Sequence, residues 1–183
     1  MTGASSGLGA EYARQLNRFI EVDELWMIAR REDLLSKLKS EIENDKCKIK
    51  IISLDLTDRS SFKIIKDLLE NQELEVKLLI NNAGFGKFAY IEEISLFDHQ
   101  QMIDLNITAL VSLTKICLPK MSSPGYMIQV SSIASLIPFP RFATYSATKT
   151  FVTYWSQALA NEIKSYGKNK NISLLVVCPG PGV

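Results

Sequence analysis

The sequence predicts a three-layer, doubly wound α/β fold: a parallel sheet with helices on both faces. Three observations carry this. Short apolar runs, the length of a strand buried on both faces, recur along the chain. Longer stretches with apolar residues at helical spacing alternate with them. Composition is ordinary for a globular domain, with 183 residues, 46% hydrophobic and 22% charged, which excludes disorder, collagen-like repeats and a coiled coil. No linker, repeat or low-complexity segment divides the chain, so residues 1–183 read as a single domain of a size that buries a real core.

Each element has its own signal. Leu8 to Phe19 reads as a helix. ELWMIA at 24–29 is a buried strand. Arg31 to Asn44 puts Leu34, Leu35, Leu38 and Ile42 on one helical stripe. KIKIISL at 48–54 is strand, and Asp58 to Glu70 is a helix with Phe62, Ile65, Leu68 and Leu69 inward. Val76 to Ile80 is strand. Ser95 to Leu118 reads as one long helix ended by Pro119. Tyr126 to Val130 is strand, Phe142 to Tyr166 helix, and Ile172 to Val177 strand.

Charge and composition narrow the functions. Lys+Arg is 21 against Asp+Glu 20, so no basic excess exists to hold a phosphate backbone and nucleic acid is not an expected partner. Cys47, Cys117 and Cys178 are odd in number and lack metal-ligand spacing. The single histidine, His99, reads as a surface residue; with one histidine, most histidine-based metal and triad chemistry is excluded. No metal site is expected. These features point to a reduced, cytoplasmic chain. No 18-residue apolar run and no leader peptide are read, so neither membrane insertion nor secretion is expected.

Thr2-Gly3-Ala4-Ser5-Ser6-Gly7-Leu8-Gly9 opens the first helix. Gly3, Gly7 and Gly9 permit a tight turn and close backbone approach to a pyrophosphate, to which the helix start adds free N–H groups and a positive dipole end. The alternative is a Gly/Ser-rich disordered terminus. After the strand at 24–29 an NAD site wants an acid for the ribose 2′-hydroxyl. Arg30 stands there instead, and arginine forks onto phosphate. This favours NADP(H), with NAD(H) the second choice; the bland alternative is a solvated pair, Arg30 and Arg31, at a helix start. Asp55, after the next strand, either accepts from an adenine amino group or caps the following helix. Asn81-Asn82-Ala83-Gly84 offers small residues for passage of a ribose. All these positions fall at carboxyl ends of parallel strands, along one crevice.

Tyr145 and Lys149 are four apart on one helical face, and Ser132 ends a strand facing the same crevice. A free tyrosine, with pKa about 10, is a poor base near neutrality. An ammonium about 6 Å away at an effective dielectric of about 20 contributes roughly 3 kcal/mol, or about two pKa units. Tyr145 can then exchange a proton with a carbonyl or hydroxyl oxygen as hydride moves at the adjacent carbon, while Ser132 donates to that oxygen. Asn106, midway along the long helix, either holds a water for proton relay to Lys149 or is an ordinary helix polar residue.

Together these residues resemble the short-chain dehydrogenase/reductase family in its single-domain branch. The resemblance rests on TGASSGLG at 2–9, Asp55-Leu56, NNAG at 81–84, Asn106, Val130-Ser131-Ser132, Tyr145-Ser146-Ala147-Thr148-Lys149 and Pro179-Gly180, in an order that covers nearly the whole chain. It implies a Rossmann-like sheet binding NAD(P)(H), with Asn106, Ser132, Tyr145 and Lys149 as the catalytic set. The implied cofactor contacts are Gly3, Ser5, Ser6, Gly7, Leu8, Gly9, Arg30, Asp55, Leu56, Asn82, Ala83, Gly84, Tyr145, Lys149, Pro179 and Gly180. The activity implied is NADPH-dependent reduction of a small-molecule ketone, aldehyde or 3-oxoacyl thioester. Homodimerisation through the two long helices is implied as well; Phe151, Tyr154, Trp155 and Leu159 are either core or that face. The other reading is a catalytically silent dinucleotide-binding or regulatory module, or an inactive fragment.

The match departs at both ends. Only Met1 precedes the glycine loop, where a strand is expected between those at 24–29 and 76–80. The chain also stops just past its last strand, so the sequence reads as truncated. Losing about four buried side chains at roughly 1.5–3 kcal/mol each compares with a whole domain's stability of about 5–15 kcal/mol. The expectations are a slot between the flanking strands and a marginally stable chain.

Overall fold

The computed structural model describes residues 1–166 and 171–180. Five parallel strands form in the order expected of a doubly wound sheet: β1 (Glu24–Ala29), β2 (Lys48–Ser53), β3 (Val76–Asn81), β4 (Met121–Val130) and β5 (Ile172–Val177). β1 pairs with β2, and β3, β4 and β5 form a second, three-stranded sheet. Helices α1 (Gly7–Phe19) and α2 (Glu32–Ile42) cover one face; α3 (Ser60–Asn71), α4 (Leu96–Ile103), α5 (Ala109–Cys117) and α6 (Ala143–Tyr166) supply the other side. Two apolar clusters result. One joins Ala10 and Ala13 of α1 and Leu35 and Leu38 of α2 to Met27, Ile49, Ile80 and Val130. The other joins Ile65, Leu69, Leu113 and Ile163 to Ile52, Leu79 and Met127.

Three residues occupy the upper end of the gap between the sheets. The Thr2 amide donates to Ile80 O at 2.9 Å, the Gly3 amide to Ile28 O at 2.9 Å, and the Ile28 amide to Met1 O at 3.0 Å. Below them the expected slot is present as a cavity of about 690 Å³, bordered by Leu16, Val22, Leu25, Leu69, Leu79 and Leu113 among others. Met1 is buried at its head, its nitrogen donating to Trp26 O at 2.7 Å.

Two elements differ from the sequence reading. The helix expected from 95 to 118 is continuous in direction but changes to a π-turn over Asp104–Thr108 between α4 and α5, because i→i+5 bonding absorbs an extra residue that apolar periodicity does not register. β4 begins at Met121 rather than Tyr126, with a register irregularity against β3 between Val76 and Leu78; Ser122-Ser123-Pro124-Gly125 carries turn residues that obscure the strand start. The apolar-run reading also needs correction. The helical stretch Leu96–Lys120 is long and apolar enough to cross a membrane by length and composition, with mean hydropathy 1.4. Its inward residues Met102, Asn106, Leu113 and Cys117 are buried within the fold.

Candidate functional site

The carboxyl ends of the strands gather the sequence-predicted residues at one edge of the molecule, and Thr2 organises the first of them. Its hydroxyl accepts from the Asn82 and Ala83 amides, each at 3.0 Å. The Asn82 Nδ2 group donates back to the carbonyls of Thr2 and Gly3, each at 3.2 Å. The glycine loop is thereby tied to the end of β3. Gly3 and Gly7 adopt φ of +66° and +54°, conformations side chains resist. Around Gly7 a side chain would meet nothing within 4 Å, so its outer face is open to a ligand. Ser6, the N-cap of α1, makes no cap bond because its hydroxyl accepts from Arg31 at 2.7 Å. The first-turn N–H groups of α1 have no intrahelical acceptors. An open glycine backbone above them fits the pyrophosphate of a dinucleotide.

Arg31 also donates to Ser5 Oγ at 3.1 Å, so it lies on the loop. Arg30, the arginine singled out from the sequence, instead approaches Asp55 at 3.6 Å. Asp55 has its Oδ1 taken by the Thr57 amide and hydroxyl at 2.9 and 2.8 Å. Partial burial pushes its carboxyl up, but the Thr57 bonds and Arg30 outweigh this and hold it below the ordinary carboxylate range. Those bonds close a turn ahead of α3, whose N-cap is Arg59, so Asp55 does not make the helix-capping contact that the sequence offered. Leu56 beside it is buried.

Lys149 is the most deeply placed charge-bearing group of the site, only 4% exposed. Its Nζ donates to Val130 O at 2.9 Å and lies 5.8 Å from the centre of the Tyr145 ring. A side chain on Gly84 would come within 3.1 Å of that Nζ and 3.0 Å of Asn106 Oδ1. Burial lowers the Lys149 pKa to about 8, with the nearby Cys178 opposing. Burial therefore works against the permanent ammonium that the sequence arithmetic assumed. Tyr145 is half-buried, stacked on Phe142 with ring centres 4.3 Å apart and pressed against the Gly86 backbone, where a side chain would meet its ring at 2.6 Å.

The π-turn points Asn106 inward, 1% exposed. Its amide is spent on backbone and helix: Oδ1 accepts from the Phe85 amide at 3.0 Å, while Nδ2 donates to Phe85 O at 2.9 Å and Thr148 Oγ1 at 3.0 Å. This geometry pins the 84–86 loop to α6. Ser132 lies two residues past the end of β4 and caps the helical turn Ile133–Ser135, its hydroxyl accepting from the Ala134 amide at 3.1 Å. The Ile133 amide donates to Pro179 O at 3.0 Å, which sets Pro179 beside the Ser132 turn, and Gly180 next to it is open on its side-chain face.

Two residues were undervalued by sequence. His99 is not a surface residue. It is half-buried, with Nδ1 2.8 Å from Thr144 Oγ1, the residue before Tyr145. Arg31 was passed over for Arg30 because strand-end position does not reveal which side chain turns toward the loop. Among the described residues no cluster of His, Cys, Asp and Glu could hold a metal.

A glycine-loop helix start and a Ser/Tyr/Lys set at one sheet edge define the class as a nicotinamide-dinucleotide Rossmann fold. Residues 1–182 match the family model for short chain dehydrogenase, and the chain belongs to that family. It is 36% identical over 181 residues to a very-long-chain 3-oxoacyl-CoA reductase of Kluyveromyces lactis, covering 90% of this chain and 50% of that protein. Among solved structures it resembles the bulky-bulky ketone specific alcohol dehydrogenase from Comamonas testosteroni (28% identity, TM-score 0.85, 98% of this chain and 70% of that one). It also resembles a short-chain dehydrogenase from Sphingobium yanoikuyae in complex with NADPH (27% identity, TM-score 0.85, 98% and 69%). The chain spans about half the length of the curated relatives it matches.

The lysine's burial has a measurable consequence. Its folded pKa near 8 lies below the ordinary 10.5, so the folded state carries a desolvation cost below pH 8 that is relieved as pH rises from 8 to 10.5. Lys149→Met is expected to raise stability at pH 7 by about 1–3 kcal/mol, with the gain shrinking toward pH 10. Denaturation curves at both pH values test this; a loss of stability at pH 7 contradicts it.

Proposed function

We propose that this chain carries the site of an NADPH-dependent carbonyl reductase, working between a ketone or aldehyde and the corresponding secondary or primary alcohol. The observation that carries the proposal is Lys149, buried beneath Tyr145 and beside Gly84 at the sheet edge where the glycine loop opens. A bound nicotinamide supplies the hydride. Tyr145 gives its phenolic proton to the carbonyl oxygen in reduction and takes it back in oxidation. Lys149, while protonated, stabilises the phenolate left behind. Ser132 turns its hydroxyl proton toward the substrate oxygen as charge develops there. Asn106 holds the 84–86 loop against α6.

The 2′-phosphate preference rests on Arg30 and Arg31 together. Arg31 reaches Ser5 and Ser6, and Arg30 needs only leave an exposed ion pair of small energy. 3-Oxoacyl thioesters and bulky ketones, the compounds named for the relatives, are the first substrates to try. A homodimer is also proposed, through the exposed Leu96, Phe97 and Tyr154 on the two long helices. A cytoplasmic, non-membrane location is part of the proposal, supported by the core residues of the 96–120 helix; carbonate extraction of expressed chain tests it, and retention in the membrane pellet overturns it. The second reading is a module that binds dinucleotide without turnover.

Tyr145→Phe separates the two readings. The reductase reading expects turnover to fall by about 10²–10⁴-fold with NADPH affinity within twofold, whereas the binding-module reading expects no turnover in either protein. For the cofactor, Arg30→Ala and Arg31→Ala are each expected to weaken NADPH by about tenfold or more, the loss of a charge-assisted contact, and to leave NADH unchanged. Titration calorimetry with both nucleotides measures this, and equal affinity for NADH and NADPH in the parent chain sinks the preference.

A further inference from the structure

Behind the Ser132 turn, three buried hydroxyls link strand β4 to helix α6. Ser131, Ser135 and Thr153 are 3%, 7% and 7% exposed. Ser131 Oγ donates to the backbone carbonyl of Lys149 at 2.8 Å. Ser135 Oγ donates to the backbone carbonyl of Ser132 at 2.7 Å. Each serine has then used its one proton, and each oxygen is left able to accept. Thr153 Oγ1 lies between them, 2.7 Å from Ser131 Oγ and 3.0 Å from Ser135 Oγ. Three hydroxyls thus bring three protons; two close on the carbonyls of Ser132 and Lys149, and the third is shared from Thr153 to the two serines. Thr150 Oγ1 adds a bond to Ser135 O at 3.2 Å, and Cys178 Sγ borders the group at 3.8 Å from Ser135 Oγ and 4.0 Å from Thr153 Oγ1.

The geometry points to Thr153 as a positioning residue: its hydroxyl closes a bracket that holds the backbones of Ser132 and Lys149 in one relative placement, although those residues stand on different elements. The inference rests on the reductase reading for what the bracket serves. Thr153 touches no reacting atom. Its effect passes through the carbonyl held by Ser135, which fixes the turn presenting the Ser132 hydroxyl, and through the carbonyl held by Ser131, which fixes the helical turn carrying Lys149. A buried network of this kind specifies one arrangement only while every member is satisfied. Removing the Thr153 hydroxyl leaves two serine oxygens without their shared donor and frees both serines to choose other rotamers.

The test compares Thr153→Val, which keeps shape and removes the hydroxyl, with Thr153→Ser, which keeps the hydroxyl. Turnover, KM, NADPH affinity and backbone amide exchange at Ala134, Ser135 and Leu136 are measured in the full chain. The valine variant is expected to lower kcat about tenfold and to speed exchange at those amides by a similar factor, the size of effect left by an orphaned buried hydrogen-bonding group. KM and NADPH affinity should stay within twofold. With 4-deuterated NADPH, its isotope effect on kcat should rise because the chemical step has slowed. The serine variant should restore both kcat and exchange. Unchanged exchange in the valine variant, or failure of serine to restore it, overturns the positioning role. A parent chain that turns over no carbonyl compound, yet shows the exchange pattern, sinks the reductase reading and leaves the bracket standing.

Discussion

Thr2 joins parts of this molecule that stand far apart in sequence. Its amide hydrogen-bonds β3, its neighbour Gly3 hydrogen-bonds β1, and its hydroxyl holds the Asn82 and Ala83 amides. The two sheets, the glycine loop and the end of β3 therefore share one joint. The distance between the start of α1 and the end of β3 is set there. A buried threonine can do this because its hydroxyl accepts two amides at once while its backbone completes a ladder.

On the other side of the crevice, the governing conflict is between charge and burial. A protonated Lys149 could stabilise a tyrosinate, as proposed above, yet the burial that sharpens its field also lowers its own pKa. The chain meets this with a backbone acceptor, Val130 O. The Asn106 amide and the hydroxyls of Ser131 and Ser135 are spent largely on backbone groups, and the Thr153 hydroxyl on the two serines. They leave the reacting groups few alternative positions, which is how a site holds its geometry on elements drawn from separate parts of the chain.

Neighbouring arginines illustrate how little separates two roles. Arg30 and Arg31 follow the same strand, and alternation sends their side chains to opposite sides. One meets Asp55 and the other meets the loop serines. The first contact is exposed and weak; the second is built from hydroxyls that also face the phosphate position. A ligand phosphate placed there would be reached by Arg31 with little rearrangement and by Arg30 after release from Asp55.

Sequence alone determined the alternation of strands and helices, the doubly wound class and the residues on which the family resemblance rests. Apolar runs and helical stripes are local patterns, and glycines, Tyr145 and Lys149 carry their spacing in the chain. It also anticipated the slot, because a parallel sheet in this order requires a strand between β1 and β3. Only the tertiary structure decided the rest. The π-turn that faces Asn106 inward depends on packing of α4 and of the π-turn itself against α6. The choice of Arg31 for the loop, the contact of His99 with Thr144, and the bracket centred on Thr153 each join residues far apart in sequence. Such contacts depend on which side chains the packed backbone brings within hydrogen-bonding distance, and desolvation of Lys149 depends on how many atoms surround it; neither quantity exists until the chain has folded.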